Sequence, residues 1–301
     1  YDVTYTFTDG NGCEASQTVS VEVFALPTVT LNDPADVCID GSDVNFTATP
    51  MGGTFSTTAS AGFTPNYAAG TAVLDVSAAG AGTYDVTYTF TDGNGCEASQ
   101  TVSVEIFALP TYTAVGTNPT VCTGTNGFVT ISGLQASTMY ILNYEDDGTA
   151  VGPTNVTSNA SGEVVIMNLN AGNYTNIILE DPNGCSGAAA SASLSDPAAP
   201  TVTLNDPADA CIDGTDMSFT GSPAPVGGAT GTFSSNAPAG FTDNGDGTAS
   251  LDVSAAGAGV YTITYSYTDA SGCAANQMVS VEVFALPTVT LNDPADVCID
   301  G

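Results

Sequence analysis

Residues 84–107 read YDVTYTFTDGNGCEASQTVSVEIF. Two runs flank a turn here. Tyr84-Asp85-Val86-Thr87-Tyr88-Thr89-Phe90 and Thr101-Val102-Ser103-Val104-Glu105-Ile106 alternate with period 2 and are rich in β-branched and aromatic residues. That is the pattern of strands with one buried face. Asp92-Gly93-Asn94-Gly95 lies between them and carries the Asn-Gly signal of a tight hairpin. The same stretch occurs at 1–24 with a single change, Val23 in place of Ile106.

Working outward, repetition sets the architecture. ALPTVTLNDPADVCIDG at 25–41 recurs unchanged at 285–301, and PTVTLNDPADACIDG at 200–214 departs from 27–41 only at Ala210. Pro27, Pro110, Pro200 and Pro287 open successive copies, at spacings of 83, 90 and 87 residues. The division that follows is the C-terminal part of one repeat at 1–24, whole repeats at 25–108, 109–199 and 200–285, and the N-terminal part of another at 286–301. The repeat at 109–199 is the divergent one. The chain opens at Tyr1 in mid-strand and stops at Gly301 just past a cysteine, so it reads as a stretch of a longer repetitive protein. Further strands are expected at Val44–Thr49, Thr54–Thr57 and Ala72–Ser77, separated by Gly/Pro/Asn clusters, and Asp243-Asn244-Gly245-Asp246-Gly247 reads as another hairpin tip. No segment carries a helical period, and Ala78–Gly82 is too short and too glycine-rich for a helix. Six or seven short strands in about 87 residues predict an all-β chain of tandem immunoglobulin-like sandwiches arranged as a rod or fibre. The joint Phe-Ala-Leu-Pro (24–27, 107–110, 284–287) is short, apolar and proline-stiffened, unlike a Gly/Ser-rich flexible linker. Neighbouring repeats are therefore expected to touch.

Composition excludes much. The 301 residues include no Lys, Arg, His or Trp, and 32 Asp and Glu give a formal net charge of −32. Without cations there is no grip on phosphate, which excludes nucleic acid and anionic membrane surfaces as partners. Without His there is no Ser-His-Asp or Cys-His catalysis and no imidazole metal site. Without Lys there is no Schiff base or P-loop lysine. No apolar run approaches the length of a membrane span. A carboxylate pair could serve a glycosidase, but a repeated signature argues against a catalytic centre, and the chain is read as a non-enzyme. Tyr5, Tyr84, Tyr88, Tyr174, Tyr261 and Tyr265 are read as sandwich packing rather than sugar-stacking platforms. Asn45, Asn155, Asn159 and Asn173 fit the N-x-[ST] pattern, which a chain this rich in Ser and Thr produces by chance.

Pro27, Val29, Leu31, Val37, Cys38, Gly41, Gly82, Tyr84, Val86, Tyr88, Asp92, Gly95 and Cys96 form a frame that resembles the tandem Ig-like and PKD-like repeats of very large cell-surface proteins in Bacteroidota, gliding-motility adhesin repeats among them. The resemblance covers the whole chain and implies an extracellular stalk, adhesin or filament. The middle repeat departs from it, with Cys122-Thr123-Gly124 for Cys-Ile-Asp-Gly and Asp-Pro-Asn-Gly-Cys at 181–185 for Asp-Gly-Asn-Gly-Cys.

The cysteines fall at two places per repeat. Cys38, Cys122, Cys211 and Cys298 precede the second main strand, and Cys13, Cys96, Cys185 and Cys273 follow the last hairpin tip. Paired usage in a His-free chain argues for disulfides and an oxidising compartment. A four-cysteine zinc site lacks any C-x-x-C spacing, and unpaired buried thiols are the remaining alternative. Two pairings stand open. One is within the repeat: Cys38–Cys96, Cys122–Cys185 and Cys211–Cys273. The other crosses the joints, Cys38–Cys185 and Cys122–Cys273, with the other four bonded outside this segment. It follows because the two cysteine turns of an Ig-like sandwich lie at opposite poles, while disulfide Cα atoms must come within about 4.4–6.8 Å.

Acidic residues cluster at turns: Asp33, Asp36, Asp40 and Asp43, with copies Asp206, Asp209, Asp213, Asp216 and Asp293, Asp296, Asp300. Asp92 with Asn94, matched by Asp9 with Asn11 and by Asp269, forms a second set. Glu180, Asp181 and Asn183 are expected to face the 33–43 cluster across the first joint. Converging oxygens suit Ca²⁺, which takes roughly 6–8 of them, and nothing basic neutralises these groups. Turn capping and solubility explain the same residues without an ion. Since 116–126 holds no acid, the second joint is the expected weak site for the ion. The function expected is a structural segment of an extracellular filament or cell-surface fibre, stiffened by Ca²⁺ and disulfides and self-associating with other copies. The alternatives are the passive stalk of an adhesin whose binding tip lies elsewhere, and an array of carbohydrate-binding modules. A glycan on the exposed Thr faces is a further partner.

Overall fold

The computed structural model describes residues 1–293 and 296. Cys298 and Asp300 lie outside these residues. The chain is all-β: an N-terminal hairpin, Asp2–Thr8 paired with Glu14–Ser20, then three small sandwiches in series.

The first sandwich sets the pattern. One sheet orders Thr30–Leu31, Val44–Thr49, Thr71–Leu74 and Phe63–Asn66; the other orders Val37–Cys38, Glu97–Phe107, Gly82–Thr91 and Thr54–Thr57. Alternation along Val44–Thr49 places Val44, Phe46 and Ala48 inside and Asn45, Thr47 and Thr49 in solvent. Val86, Tyr88, Val104 and Ile106 meet them from the facing sheet to close one core. The third sandwich repeats this order strand for strand, with Phe219, Leu251, Ile263 and Tyr265 at its centre. The first strand of each outer repeat is split. Its second piece, Val37–Cys38, runs parallel to Ile106–Phe107, and Ala210–Cys211 does the same beside Val283–Phe284. This pairing carries each strand-borne cysteine to the end of the sandwich where the chain leaves for the next repeat.

The middle sandwich is wired differently. Met139–Asp146 turns through Asp147-Gly148 directly into Thr149–Thr157, and the two pair antiparallel. Both loop residues have positive φ, 45° and 82°, the geometry a two-residue Asp-Gly hairpin needs. The strand that pairs with Thr71–Leu74 in the first repeat is thereby moved to the opposite sheet, giving three strands against four. Val129, Ile131, Leu142, Ile166, Ile177 and Leu179 fill the core.

A tyrosine latch recurs in all three. The Tyr84 hydroxyl donates to the Ala79 carbonyl at 2.7 Å, Tyr261 to Ala256 at 2.7 Å and Tyr174 to Asn170 at 3.0 Å. Such corners are a mark of immunoglobulin-like sandwiches. A second tyrosine, Tyr88 or Tyr265, is fully buried and reaches the carbonyl of Pro50 or Pro223. Gly53 and Gly231 stand against these rings, and a Cβ at either position would collide with them.

The expected strand at Ala72–Ser77 ends at Leu74. Asp75 then caps a single helical turn, Val76–Ala79, its carboxylate accepting from Ala78 N–H at 2.9 Å and Ser77 Oγ at 2.8 Å, with Gly80 closing the turn. Asp252 does the same for Val253–Ala256. An N-cap and a terminal glycine suffice for one turn, which is too short to show a period.

These bonds hold the Asp75 and Asp252 carboxyls below the usual carboxylate range. For Asp75 the Ala78 amide leads and the Ser77 hydroxyl follows; for Asp252 the Ser254 hydroxyl leads and the Ala255 amide follows. A depressed folded-state value gives stability that is present above the unfolded value, about 4, and lost as pH falls through the folded one. Asp252→Asn should therefore show a shallower fall of urea midpoint between pH 6 and pH 3 than the parent chain. Parallel curves would remove the cap from the acid response.

Candidate functional site at the joints between repeats

The joints are where the chemistry concentrates. At the first, Cys38 is bonded to Cys185 with Cα atoms 5.6 Å apart; at the second, Cys122 is bonded to Cys273 at 5.1 Å. Of the two pairings the sequence left open, the structure contains the cross-joint one. Among the described residues Cys13, Cys96 and Cys211 are unpaired.

Each partner is presented by a fixed device. The tip cysteine sits in a turn built by the aspartate four residues before it. The Asp181 carboxylate accepts from the amides of Asn183 and Cys185, both at 2.9 Å, and its own amide donates to the Cys185 carbonyl at 2.9 Å. Asp269 treats Ser271 and Cys273 identically, as do Asp92 with Asn94 and Cys96, and Asp9 with Asn11 and Cys13. Asp9 is held below the usual carboxylate range by the Cys13 and then the Asn11 amides. The strand cysteine is placed by Asp36, whose carboxylate accepts from Glu105 N–H at 2.7 Å and pins the split strand against its neighbour. Asp209 pins Glu282 in the same way at 2.7 Å.

The second joint has a direct bond as well, Cys122 N–H donating to the Ser271 carbonyl at 2.9 Å. Within the middle repeat, Thr123 N–H donates to Asp196 at 3.1 Å and Ser195 N–H to Asn118 at 3.0 Å. Cys122 lies in the loop after Thr113–Thr117 rather than on a split strand. Asn126 organises that loop, accepting from Thr120 N–H and donating to Thr120 Oγ1. Beside the first joint, linker residues Leu109 and Pro110 border a groove of about 400 Å³ with Tyr140, Asp181 and Asn183.

The carboxylates do not converge. Among the described residues no three Asp, Glu or Cys side chains form a group able to share a metal ion. Asp33, Asp40, Asp43, Asp206, Asp213 and Asp216 are exposed, as are Asp293 and Asp296; Asp36 and Asp209 clamp strands; Asp92, Asp181 and Asp269 cap turns; Glu180 is half-buried. The residues present fit turn and strand locking rather than a closed calcium cage. Asp36 and Asp209 as clamps, and the Tyr84, Tyr174 and Tyr261 latches, were not singled out by sequence. Their signal lay in position, four residues or fewer from a turn, rather than in residue type.

Neither a protein-family model nor a curated protein sequence matches the chain. Solved structures are similar in fold. A Ca²⁺-stabilized adhesin that helps an Antarctic bacterium bind ice is 21% identical over 94% of this chain and 81% of that one, at a TM-score of 0.35. A tetra-tandem repeat from the extending region of a large adhesion protein is 19% identical over 94% and 81%, at 0.34. Fibronectin(III)-like modules of Clostridium thermocellum CbhA are 18% identical over 56% and 95%, at 0.28. Similarity of this degree carries no functional inference.

Asp181→Ala should free the Asn183 and Cys185 amides. Their hydrogen exchange in the oxidised chain should quicken by about tenfold or more, the equivalent of about 1.4 kcal/mol, an ordinary value for a charged hydrogen-bond acceptor. Unchanged rates would mean that the disulfide alone holds the tip.

Proposed function

We propose that this chain is a load-bearing stalk segment of an extracellular protein, a passive spacer that holds a functional part at a distance. The observation that supports it is the interleaving of the two disulfides. In chain order the cysteines run 38, 122, 185, 273, with 38 bonded to 185 and 122 to 273. Each bond spans one joint, and both loops contain residues 122–185 of the middle repeat. Tension entering at Cys38 passes through the first disulfide to the Cys185 tip. It crosses the middle repeat backwards to Cys122 and leaves through Cys273.

This sets a limit on stretching. Once every repeat is unfolded, the shortest covalent path from Cys38 to Cys273 is the 63 residue steps between Cys122 and Cys185 (185 less 122) plus two bridges. At about 3.3–3.6 Å per residue that is about 220–240 Å. With the bridges reduced the path is the 235 steps of backbone (273 less 38), or about 780–850 Å. The disulfides thus act as stops against overextension. They also support an oxidising compartment, such as the cell exterior, for the chain. The absence of Lys and Arg leaves no trypsin-type cleavage site, which suits a stalk exposed to proteases. Among the described residues no helix is long and apolar enough to cross a membrane.

Single-molecule stretching between handles placed before Cys38 and after Cys273 tests this reading. The Cys38-to-Cys273 stretch should extend to no more than about 240 Å when oxidised and to about 800 Å after reduction. Equal extension in both states would sink the load-path reading.

The cation part of the proposal rests on charge. A net charge of −32 with no basic side chain makes the repeats repel one another and themselves. Divalent ions held loosely by pairs of exposed carboxylates at the joints would offset that repulsion and stiffen the series. Without a closed cage such binding discriminates little between Ca²⁺ and Mg²⁺. Calorimetric melting in either ion should rise alike, by about 4–8 °C for about 1 kcal/mol per domain, and by more than in NaCl of equal ionic strength. A rise with Ca²⁺ alone would demand a specific site, and no rise beyond NaCl would reduce the ions to screening.

A further inference from the structure

We infer that the middle repeat carries a side groove that docks a basic segment of a different protein, seating an Arg side chain against the carboxylate of Glu180. The inference goes beyond the stalk reading and does not use the disulfides.

The groove has a volume of about 620 Å³ and lies at the end of the middle repeat that bears the Cys185 tip. That volume falls in the range of ligand sites, about 300–1,000 Å³. Strand register builds its floor. Ile141 pairs with Asn155 on one side and with Glu180 on the other, so the three stand in one row across three strands. Tyr140 and Leu142 are buried in the core, which turns Met139 and Ile141 to the outer face of the sheet. Met139 is 55% exposed there. Pro182 lines the groove from the tip. The surface offered is therefore apolar, with one carboxylate at the end of the row.

Only the divergent repeat has these parts. Asn155 comes from Thr149–Thr157, and in the outer repeats the matching sheet ends at Thr54–Thr57 or Thr230–Ser235 with no strand beyond. The residue after the tip aspartate is Pro182 here, against Gly10, Gly93 and Ala270 in the other tips.

Charge selects the occupant. Glu180 is half-buried, and the chain has no Lys, Arg or His to pair with it. Asp181, on the same groove, holds both tip amides with Oδ1 alone and leaves Oδ2 for another donor. An Arg side chain meets both demands: its methylene stem packs on Met139 and Ile141, and its fork donates to carboxylate oxygens. A second copy of this chain cannot supply that cation. Among the described residues the carboxylates are too few to share a metal ion. Tyr140, Asp181 and Asn183 also line the groove beside Leu109 and Pro110, so the two adjoin and give room for an extended peptide.

The test is NMR on the full oxidised chain, isotopically labelled at the methyl groups of its five methionines, in chelator and at physiological salt. The probe is the peptide acetyl-Gly-Leu-Arg-Leu-Gly-amide at up to millimolar concentration, with citrulline in place of Arg as the uncharged control. The Met139 signal should move and saturate while Met51, Met167, Met217 and Met278 stay fixed. Glu180→Gln and the citrulline peptide should each weaken binding by about tenfold or more, as loss of a charged hydrogen bond does. Met167, on the other sheet of the same repeat, reports whether the variant is folded, and the citrulline arm needs no variant at all. A Met139 signal that does not move would overturn the inference, as would a shift that citrulline reproduces. Five signals drifting together without saturation would reduce the effect to net charge and overturn it too. So would a Met139 shift that grows with chain concentration in the absence of peptide, which would make a second copy the occupant. Each of these outcomes leaves the stretching limit set by the disulfides as it stands.

Discussion

A disulfide closes only where two Cα atoms are brought within about 4.4–6.8 Å, and the two among the described residues close between separate sandwiches. Everything else at the joints serves that approach. The parallel pairing of Val37–Cys38 with Ile106–Phe107 delivers one sulfur to the trailing end of a sandwich. The Asp181 turn delivers the other to the leading end of the next. The Phe-Ala-Leu-Pro linker needs only to be short. Because the bonds interleave, residues 122–185 of the middle repeat are common to both loops.

The charge leaves the joints without side-chain ion pairs. No carboxylate here can find a basic side chain, so ion pairs contribute nothing to holding the repeats together. The carboxylates are used instead as acceptors for backbone amides, at the Asp75 and Asp252 helix caps, at the four cysteine tips and at the Asp36 and Asp209 clamps. An acceptor-only side chain suits unpaired amides at turns. An acidic chain without cations thus satisfies amides at its turns with its own carboxylates.

Much of the fold was legible in the chain. Alternation gave Val44–Thr49 and Thr54–Thr57 with the bounds the structure has, and placed the long hairpin correctly. Phe63–Asn66 was missed because a proline interrupts its alternation. The two short pieces of the first strand were missed because two residues cannot show a period. The capped turns at Val76 and Val253 escaped for the same reason. In the middle repeat, the Asp147-Gly148 turn was there to be read and decides which sheet receives Thr149–Thr157. Of the site, residue identities were legible and their use was not. Asp181, read as a candidate ion ligand, holds its own turn.

Residues 1–24 and 84–107 differ at one position, and both form the hairpin. In 84–107, Val86 and Tyr88 are 0% exposed because a second sheet faces them. Local sequence determined strand, turn and register, because alternation and an Asn-Gly turn act within some twenty residues. It also determined the repeat period, the charge and the two cysteine positions. The tertiary structure alone decided which face is buried and which cysteines bond. Burial requires an opposing sheet, and a disulfide requires two poles to meet. The facing sheets come from residues tens of positions apart within one repeat, and the bonded cysteines are 147 and 151 positions apart.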